Sequence, residues 1–215
     1  MADIAKHSND TINFIRHNMR ELPSGKTYGN TLGRYIGTTN EHLLESETEA
    51  LQQIQPIPVE CVFTSPMIRC LETADLMFPG QTRMVIDGFR ECDFGEFENK
   101  NYQELSENEA YQQWIDSEGT LGFPGGESMV EFKQRCLAAF DEMIAVCIKE
   151  ELENVALVVH GGTIMSILDA YGFPRAEYYA WQVKNAEGYK IRMQLEQWCC
   201  GRRELVVDGK IIREM

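Results

Sequence analysis

The chain has 215 residues, 43% of them hydrophobic and 25% charged, long enough to bury a substantial core and unlike disordered or fibrous compositions. Its formal net charge of −14 argues against nucleic acid or an anionic membrane surface as the principal partner, since both require clustered Lys and Arg. A local phosphate site is still allowed, because distant charges are screened over ~8 Å at physiological salt and a few arginines and helix amino termini set the potential inside a pocket.

The opening residues lack the basic-then-apolar pattern of a signal peptide, and no later run approaches the ~18 apolar residues that span a bilayer. A cytoplasmic location is expected. The seven cysteines, at 61, 70, 92, 136, 147, 199 and 200, show no Cys-x-x-Cys spacing of a metal site, and most read as small core residues. Cys199 and Cys200 are adjacent, and neighbouring cysteines rarely bridge each other.

The first element is an apolar, β-branched run, Thr11-Ile-Asn-Phe-Ile-Arg-His17, which predicts a buried strand ending in a charge pair. Asn18 to Gly25 reads as loop. His17 is therefore expected at the carboxyl end of a strand, the usual ligand edge of an open α/β sheet; a plain polar strand end is the alternative. Residues 26–37 are Gly- and Asn-rich, too irregular for helix or strand, and carry Arg34. Ser46-Glu-Thr-Glu49 has capping-box spacing and opens a helix to about Gln53, stopped by Pro56 and Pro58. Val59 to Thr64 is the next strand.

Ser65-Pro66 then predicts a helix to Phe78, with Ser65 as N-cap, Pro66 at the first position and Met67, Leu71, Ala74 and Phe78 inward. Arg69 falls in its first turn, behind a strand end. After a short strand at 84–86, residues 87–98 form a loop in which the carboxylates at 91, 93, 96 and 98 alternate with Cys92, Phe94 and Phe97. Fixing an acid against apolar surface raises its pKa toward general-acid duty. Tyr102, Leu105, Tyr111 and Trp114 predict one or two short helices of a cap over the sheet. Ser128 and Glu131 form a second capping box, starting a helix to about Glu150 with Phe132, Cys136, Ala139, Met143 and Cys147 inward.

Asn154 to Val159 is a continuously apolar strand that delivers His160, followed by Gly161-Gly162 and a helix to about Tyr171. Two strands thus each end in a histidine. Gly188 to Leu195 and Glu204 to Val207 complete the strands, with Asp208-Gly209 expected as a turn.

Arg16, His17, Arg69, Glu91 and His160 together form a phosphoryl-transfer inventory. A neutral imidazole attacks phosphorus covalently; two arginines offer forked donors to the equatorial oxygens; one protonated carboxylic acid serves the leaving oxygen. The amides of Gly161 and Gly162 add positive potential. No metal or other cofactor is required. Metal ligation by His17 and His160 is the competing chemistry, disfavoured because adjacent arginines repel a cation.

The same segments resemble the histidine phosphatase superfamily, also called phosphoglycerate mutase-like. Phe14-Ile-Arg-His17 is similar to its nucleophile signature, and Asn30 to Gly37 to its phosphate-side loop. Thr64 to Ala74 matches the second signature, Phe89 to Glu98 the general-acid segment, Pro124 to Ser128 the helix lead-in and Val158 to Gly162 the second histidine. The resemblance implies a three-layer α/β/α sandwich with a mainly parallel sheet, one domain over 1–215 with residues 88–126 as a small helical cap insertion. It implies His17 as nucleophile, Glu91 as general acid and then base, and Arg16, Arg69, His160 and Gly161 around the phosphate. Asn30 and Arg34 become supporting contacts, with Asp93 as the fallback acid. The expected partner is a small phosphorylated metabolite, and a homodimer is compatible with it.

Departures fall just after His17. The family has Gly there, followed by an acidic or amide residue and Thr or Ser; this chain has Asn18-Met19-Arg20, and the spacing to Asn30 is about seven residues longer. Asn tolerates the left-handed backbone that Gly adopts. Mutase members carry Glu-Arg-His-Tyr at the acid segment, where this chain has Glu91-Cys-Asp-Phe94. A phosphatase is therefore expected, most like the alpha-ribazole phosphatases of cobalamin assembly. A mutase and a catalytically silent phosphoester-binding protein are the alternatives.

Overall fold

A computed structural model describes residues 10–16, 26–53, 58–117 and 119–211, with 10–16 described by backbone alone. Four parallel strands form its centre: β1 (Asp10–Arg16), β2 (Cys61–Thr64), β3 (Thr82–Val85) and β4 (Asn154–Val159). With β5 (Gly172–Phe173), β6 (Gly188–Met193) and β7 (Leu205–Ile211), they give a seven-stranded sheet of order β3-β2-β4-β1-β6-β7-β5. β6 runs antiparallel to β1 and β7.

β2 and β4 are buried on both faces, which is why they read as unbroken apolar runs. Cys61, Phe63, Val155, Leu157 and Val159 point to one face. They pack there against Phe140, Met143 and Ile144 of α5 (Met129–Lys149) and Ile164, Ile167 and Leu168 of α6 (Gly161–Tyr171). Val62, Ala156 and Val158 point to the other. They meet Leu51 of α2 (Glu45–Gln52) and Cys70, Ala74 and Met77 of α3 (Ile68–Met77). This is the expected three-layer arrangement with a mainly parallel sheet. The segment 92–136 builds a third cluster, in which Phe97, Leu105, Tyr111, Phe123 and Phe132 gather with Trp114 of α4 (Glu109–Asp116).

The long helix begins where its capping box predicts: Glu131 N donates to Ser128 Oγ at 3.2 Å, and Ser128 N donates to the Glu131 carboxylate at 2.9 Å. Other boundaries differ. Residues 28–31 form a one-turn helix, α1 (Tyr28–Thr31), fastened by Thr27 N donating to Asn30 Oδ1. Such a turn is too short to leave a periodic pattern. α2 starts at Glu45 behind Leu44, with no side-chain cap from Ser46. α3 starts three residues after Ser65, and Asn40 Oδ1 accepts from its first amide, Ile68 N, at 2.8 Å. A short helix, α7 (Leu195–Cys199), follows β6 and turns Trp198 into the core. Asp208-Gly209 is no turn: both lie within β7, where Lys190 faces Gly209 and Ile191 faces Val207, so Asp208 is the extra residue of a bulge. Arg192 closes a fork on its carboxylate, with both contacts at 2.7 Å.

Candidate active site

β1 and β4 are parallel neighbours whose last residues, Arg16 and Val159, are Cα partners. His160 comes next on β4 as the N-cap of α6. His17, which follows β1 in sequence, lies outside the described residues, as do Asn18, Met19, Arg20 and the insertion through Gly25; of Arg16 only the backbone is described. β2 ends on the other flank of β4, with Thr64 opposite Val158, so Ser65 and the start of α3 open at the same edge.

His160 is fully buried. Its Nε2 is hydrogen-bonded to Ser65 Oγ at 2.8 Å, with Cys70 Sγ 3.6 Å away, and its Nδ1 lies 3.8 Å from Glu91 Oε2. Ser65 Oγ already accepts from Met67 N at 3.3 Å. A neutral imidazole that takes the Ser65 proton at Nε2 carries its own on Nδ1, the nitrogen facing Glu91. Burial pushes the Cys70 thiol up to about 12, so it stands beside the ring as a neutral group.

Arg69, also fully buried, is held by backbone carbonyls. Its Nη1 donates to Thr39 O at 2.9 Å, and its Nη2 to Gly37 O at 3.0 Å and Ile36 O at 3.4 Å. Glu98 grips the same loop from the cap side, its Oε1 accepting from Gly37 N and Thr39 N. The Nε–H of Arg69 has no hydrogen-bond partner among the described residues. An unmatched buried donor costs about 1–3 kcal/mol, a cost that an anion accepting from it removes.

Glu91 is 7% exposed. Its Oε1 accepts from Cys92 N at 3.1 Å. A Cβ placed on Gly162 would sit 3.1 Å from that oxygen and 2.9 Å from the Phe132 ring, so the glycine lets carboxylate and helix start close together. The first intrahelical donor of α6 is Ile164 N, to His160 O, which leaves the amides of 161–163, Gly161 first, as the helix's positive end. Glu91 also lines an open cavity of about 570 Å³ with Gly37, Met67, Asp93, Glu127 and Arg135, within the size range of small-molecule sites.

The fold thus brings Arg69, Glu91, His160 and Gly161 to one edge, beside the end of β1. Asp93 shares the cavity, with its Oδ1 accepting from Gly95 N. Arg34 is committed elsewhere, donating to Asn99 and pairing with Glu104 at 2.8 Å. Asn30 lines a second cavity, with Tyr35, Tyr102 and Gln103. Ser65, Glu98 and Arg135 were not among the expected residues. Ser-Pro before a helix reads as an N-cap, while Glu127 and Arg135 lie eight residues apart, a two-turn spacing that carries a signal only once Glu91 is known to lie beneath them. Among the described residues, no three His, Cys, Asp or Glu side chains are grouped to hold a metal ion, and no helix is long and apolar enough to cross a membrane.

Fold and side chains together define a class: an α/β protein that gathers a buried arginine, a carboxylic acid and a histidine at the carboxyl edge of its parallel strands. Residues 12–204 match the histidine phosphatase superfamily (branch 1), and the chain belongs to that family. An acid phosphatase of Mycobacterium tuberculosis is 30% identical over 190 residues, covering 82% of each chain. A Hydrogenobacter thermophilus protein bearing the name phosphoserine phosphatase 2 is 28% identical over 117 residues, 51% of this chain and 54% of that one; the alignment thus spans about half of that relative's length. In three dimensions the alpha-ribazole phosphatase of Shigella flexneri superposes with a TM-score of 0.75 at 20% identity, covering 95% of this chain and 98% of that one. A phosphoglycerate mutase of Thermus thermophilus gives 0.66 at 23%, covering 95% and 99%. The fold is the phosphoglycerate mutase-like one.

Proposed function

We propose that the protein hydrolyses the phosphomonoester of a small metabolite through a phosphohistidine on His17. The imidazole of His17 attacks phosphorus while Glu91 gives its proton to the departing alcohol oxygen. Glu91, now a carboxylate, takes a proton from the water that attacks the phosphohistidine, releasing inorganic phosphate and restoring both groups. Arg16, Arg69 and His160 hold the phosphoryl oxygens, and the amide of Gly161 contributes to the same potential. The observation that carries this reading is the placement of Glu91 Oε2 3.8 Å from His160 Nδ1, with both side chains buried. An acid poised there serves an ester held by the histidine edge.

Alpha-ribazole phosphate is the substrate we favour among small phosphomonoesters, supported by the fold shared with the Shigella flexneri enzyme. The absence of Glu-Arg-His-Tyr at 91–94 favours hydrolysis over phosphoglycerate mutation. A panel of phosphomonoesters that includes alpha-ribazole phosphate and both phosphoglycerates tests this. Phosphate release is expected from at least one member, with no interconversion of 2- and 3-phosphoglycerate. Wild type should trap an acid-labile phosphoenzyme that His17→Ala lacks; full activity in His17→Ala overturns the mechanism.

A further inference from the structure

We infer that Arg135 and Glu127 are positioning residues that set the reach of Glu91, by clamping the loop that carries it. The inference rests on Glu91 as the proton donor. Arg135 sits two turns into α5, and all five of its N–H donors are engaged. Nη1 donates to Gly88 O and Arg90 O, both at 2.9 Å, and Nη2 to Glu91 O at 3.3 Å. Nε and Nη2 close a fork on the Glu127 carboxylate at 2.8 and 2.6 Å. One planar group therefore ties three carbonyls of the 88–91 loop to a residue ahead of the helix.

Glu127 carries the hold onward. Its Oε2 accepts from Asp93 N at 3.3 Å, and its backbone N donates to Asp93 O at 2.9 Å. The turn before it is pressed directly onto the acid loop: Glu96 N donates to Pro124 O at 2.8 Å, and a Cβ on Gly126 would lie 2.4 Å from Asp93 O. Glu91 thus lies on a short stretch fixed on both sides, by Arg135 at 88, 90 and 91 and by Glu127 at 93. A lysine has a single ammonium and cannot reproduce this planar, five-donor geometry.

Proton donation matters most where the leaving oxygen is basic, so loosening the clamp should act selectively. Displacing a reacting group by about 1 Å can cost on the order of 100-fold. For Arg135→Lys, kcat/KM, which reports transfer to His17 and not the shared hydrolysis of the phosphohistidine, is expected to fall roughly 10- to 100-fold on an alkyl phosphate, against less than about threefold on p-nitrophenyl phosphate, whose leaving group needs little protonation. Glu127→Gln, which turns an accepting oxygen of the fork into an amide, should shift the same ratio in the same direction and decides the matter if Arg135→Lys does not fold. Glu91→Gln is measured alongside. If Glu91→Gln changes the alkyl-to-aryl ratio while both clamp variants lower the two rates equally, the clamp is overturned and the role of Glu91 stands. If Glu91→Gln leaves the ratio unchanged, Glu91 is not the donor and the clamp falls with it.

Discussion

Ser65 shows how a residue's local and tertiary roles separate. A serine ahead of proline after a strand is a natural N-cap, yet α3 takes its first acceptor from Asn40, and Ser65 Oγ sits 2.8 Å from His160 Nε2. Removing that hydroxyl leaves the imidazole less firmly oriented against Glu91 without altering the apolar packing. Ser65→Ala is expected to lower kcat by about tenfold, equivalent to ~1.4 kcal/mol of transition-state stabilisation, with the melting temperature shifted by only a few degrees. A variant with wild-type kcat would show that the hydroxyl does not tune the ring. Arg69, Glu91 and His160 were legible in the sequence because each stands next to a boundary that leaves a mark: Pro66, the acidic-aromatic alternation and Gly161-Gly162. Ser65 and Arg135 were not, because what they touch is far away in the chain. The partners of Arg34 were hidden in the same way, since a guanidinium in a Gly-rich loop says nothing of the Asn99 and Glu104 that it meets.

At the scale of elements, the junction of α6 with the acid loop is a close contact that serves the site. Gly162 lies in a helix, where replacement by Ala ordinarily stabilises by about 0.5–1 kcal/mol. Here the new methyl meets Phe132 Cε1 at 2.9 Å, Phe132 Cζ at 3.0 Å and Glu91 Oε1 at 3.1 Å. Gly162→Ala is therefore expected to destabilise by about 1–3 kcal/mol, the usual cost of overpacking, and to cut turnover at least tenfold as the carboxylate is pushed aside. Gly209→Ala is the control: a Cβ there meets nothing within 4 Å, and stability should stay within about 0.5 kcal/mol. Urea unfolding of both variants, with kcat measured in parallel, checks the pair. Elements with strong signals, such as α5 with its capping box and β4 with its unbroken apolar run, could be placed from sequence. The Asp208-Gly209 bulge could not, because the same dipeptide serves a two-residue hairpin or a bulge, and only pairing with β6 and the Arg192 fork decides which.

At the scale of the whole molecule, a chain of formal charge −14 has to admit a phosphate dianion to a pocket held by a few cations. The two effects differ in range. The buried Arg69 acts over a few ångströms and is little affected by salt, whereas the surface carboxylates repel over a distance set by ionic strength: ~30 Å at 0.01 M, comparable to the molecule, and ~8 Å at 0.15 M. At low salt an approaching dianion meets nearly the full net charge; at physiological salt it meets mainly the rim of the pocket. Among the described residues that rim is itself acidic, with Asp93, Glu127 and Glu131 lining the cavity against Arg90 and Arg135. Arg135 is paired with Glu127 and Arg90 with Asp87. Hence kcat/KM for a phosphomonoester is expected to rise about two- to fivefold as potassium chloride is raised from 0.01 to 0.15 M, a modest share of the 10- to 1,000-fold range of electrostatic steering, while kcat changes little. Initial rates at subsaturating substrate across a chloride series measure it. A kcat/KM that falls with salt would mean that the cations of the site, and not the acidic surface, govern the encounter.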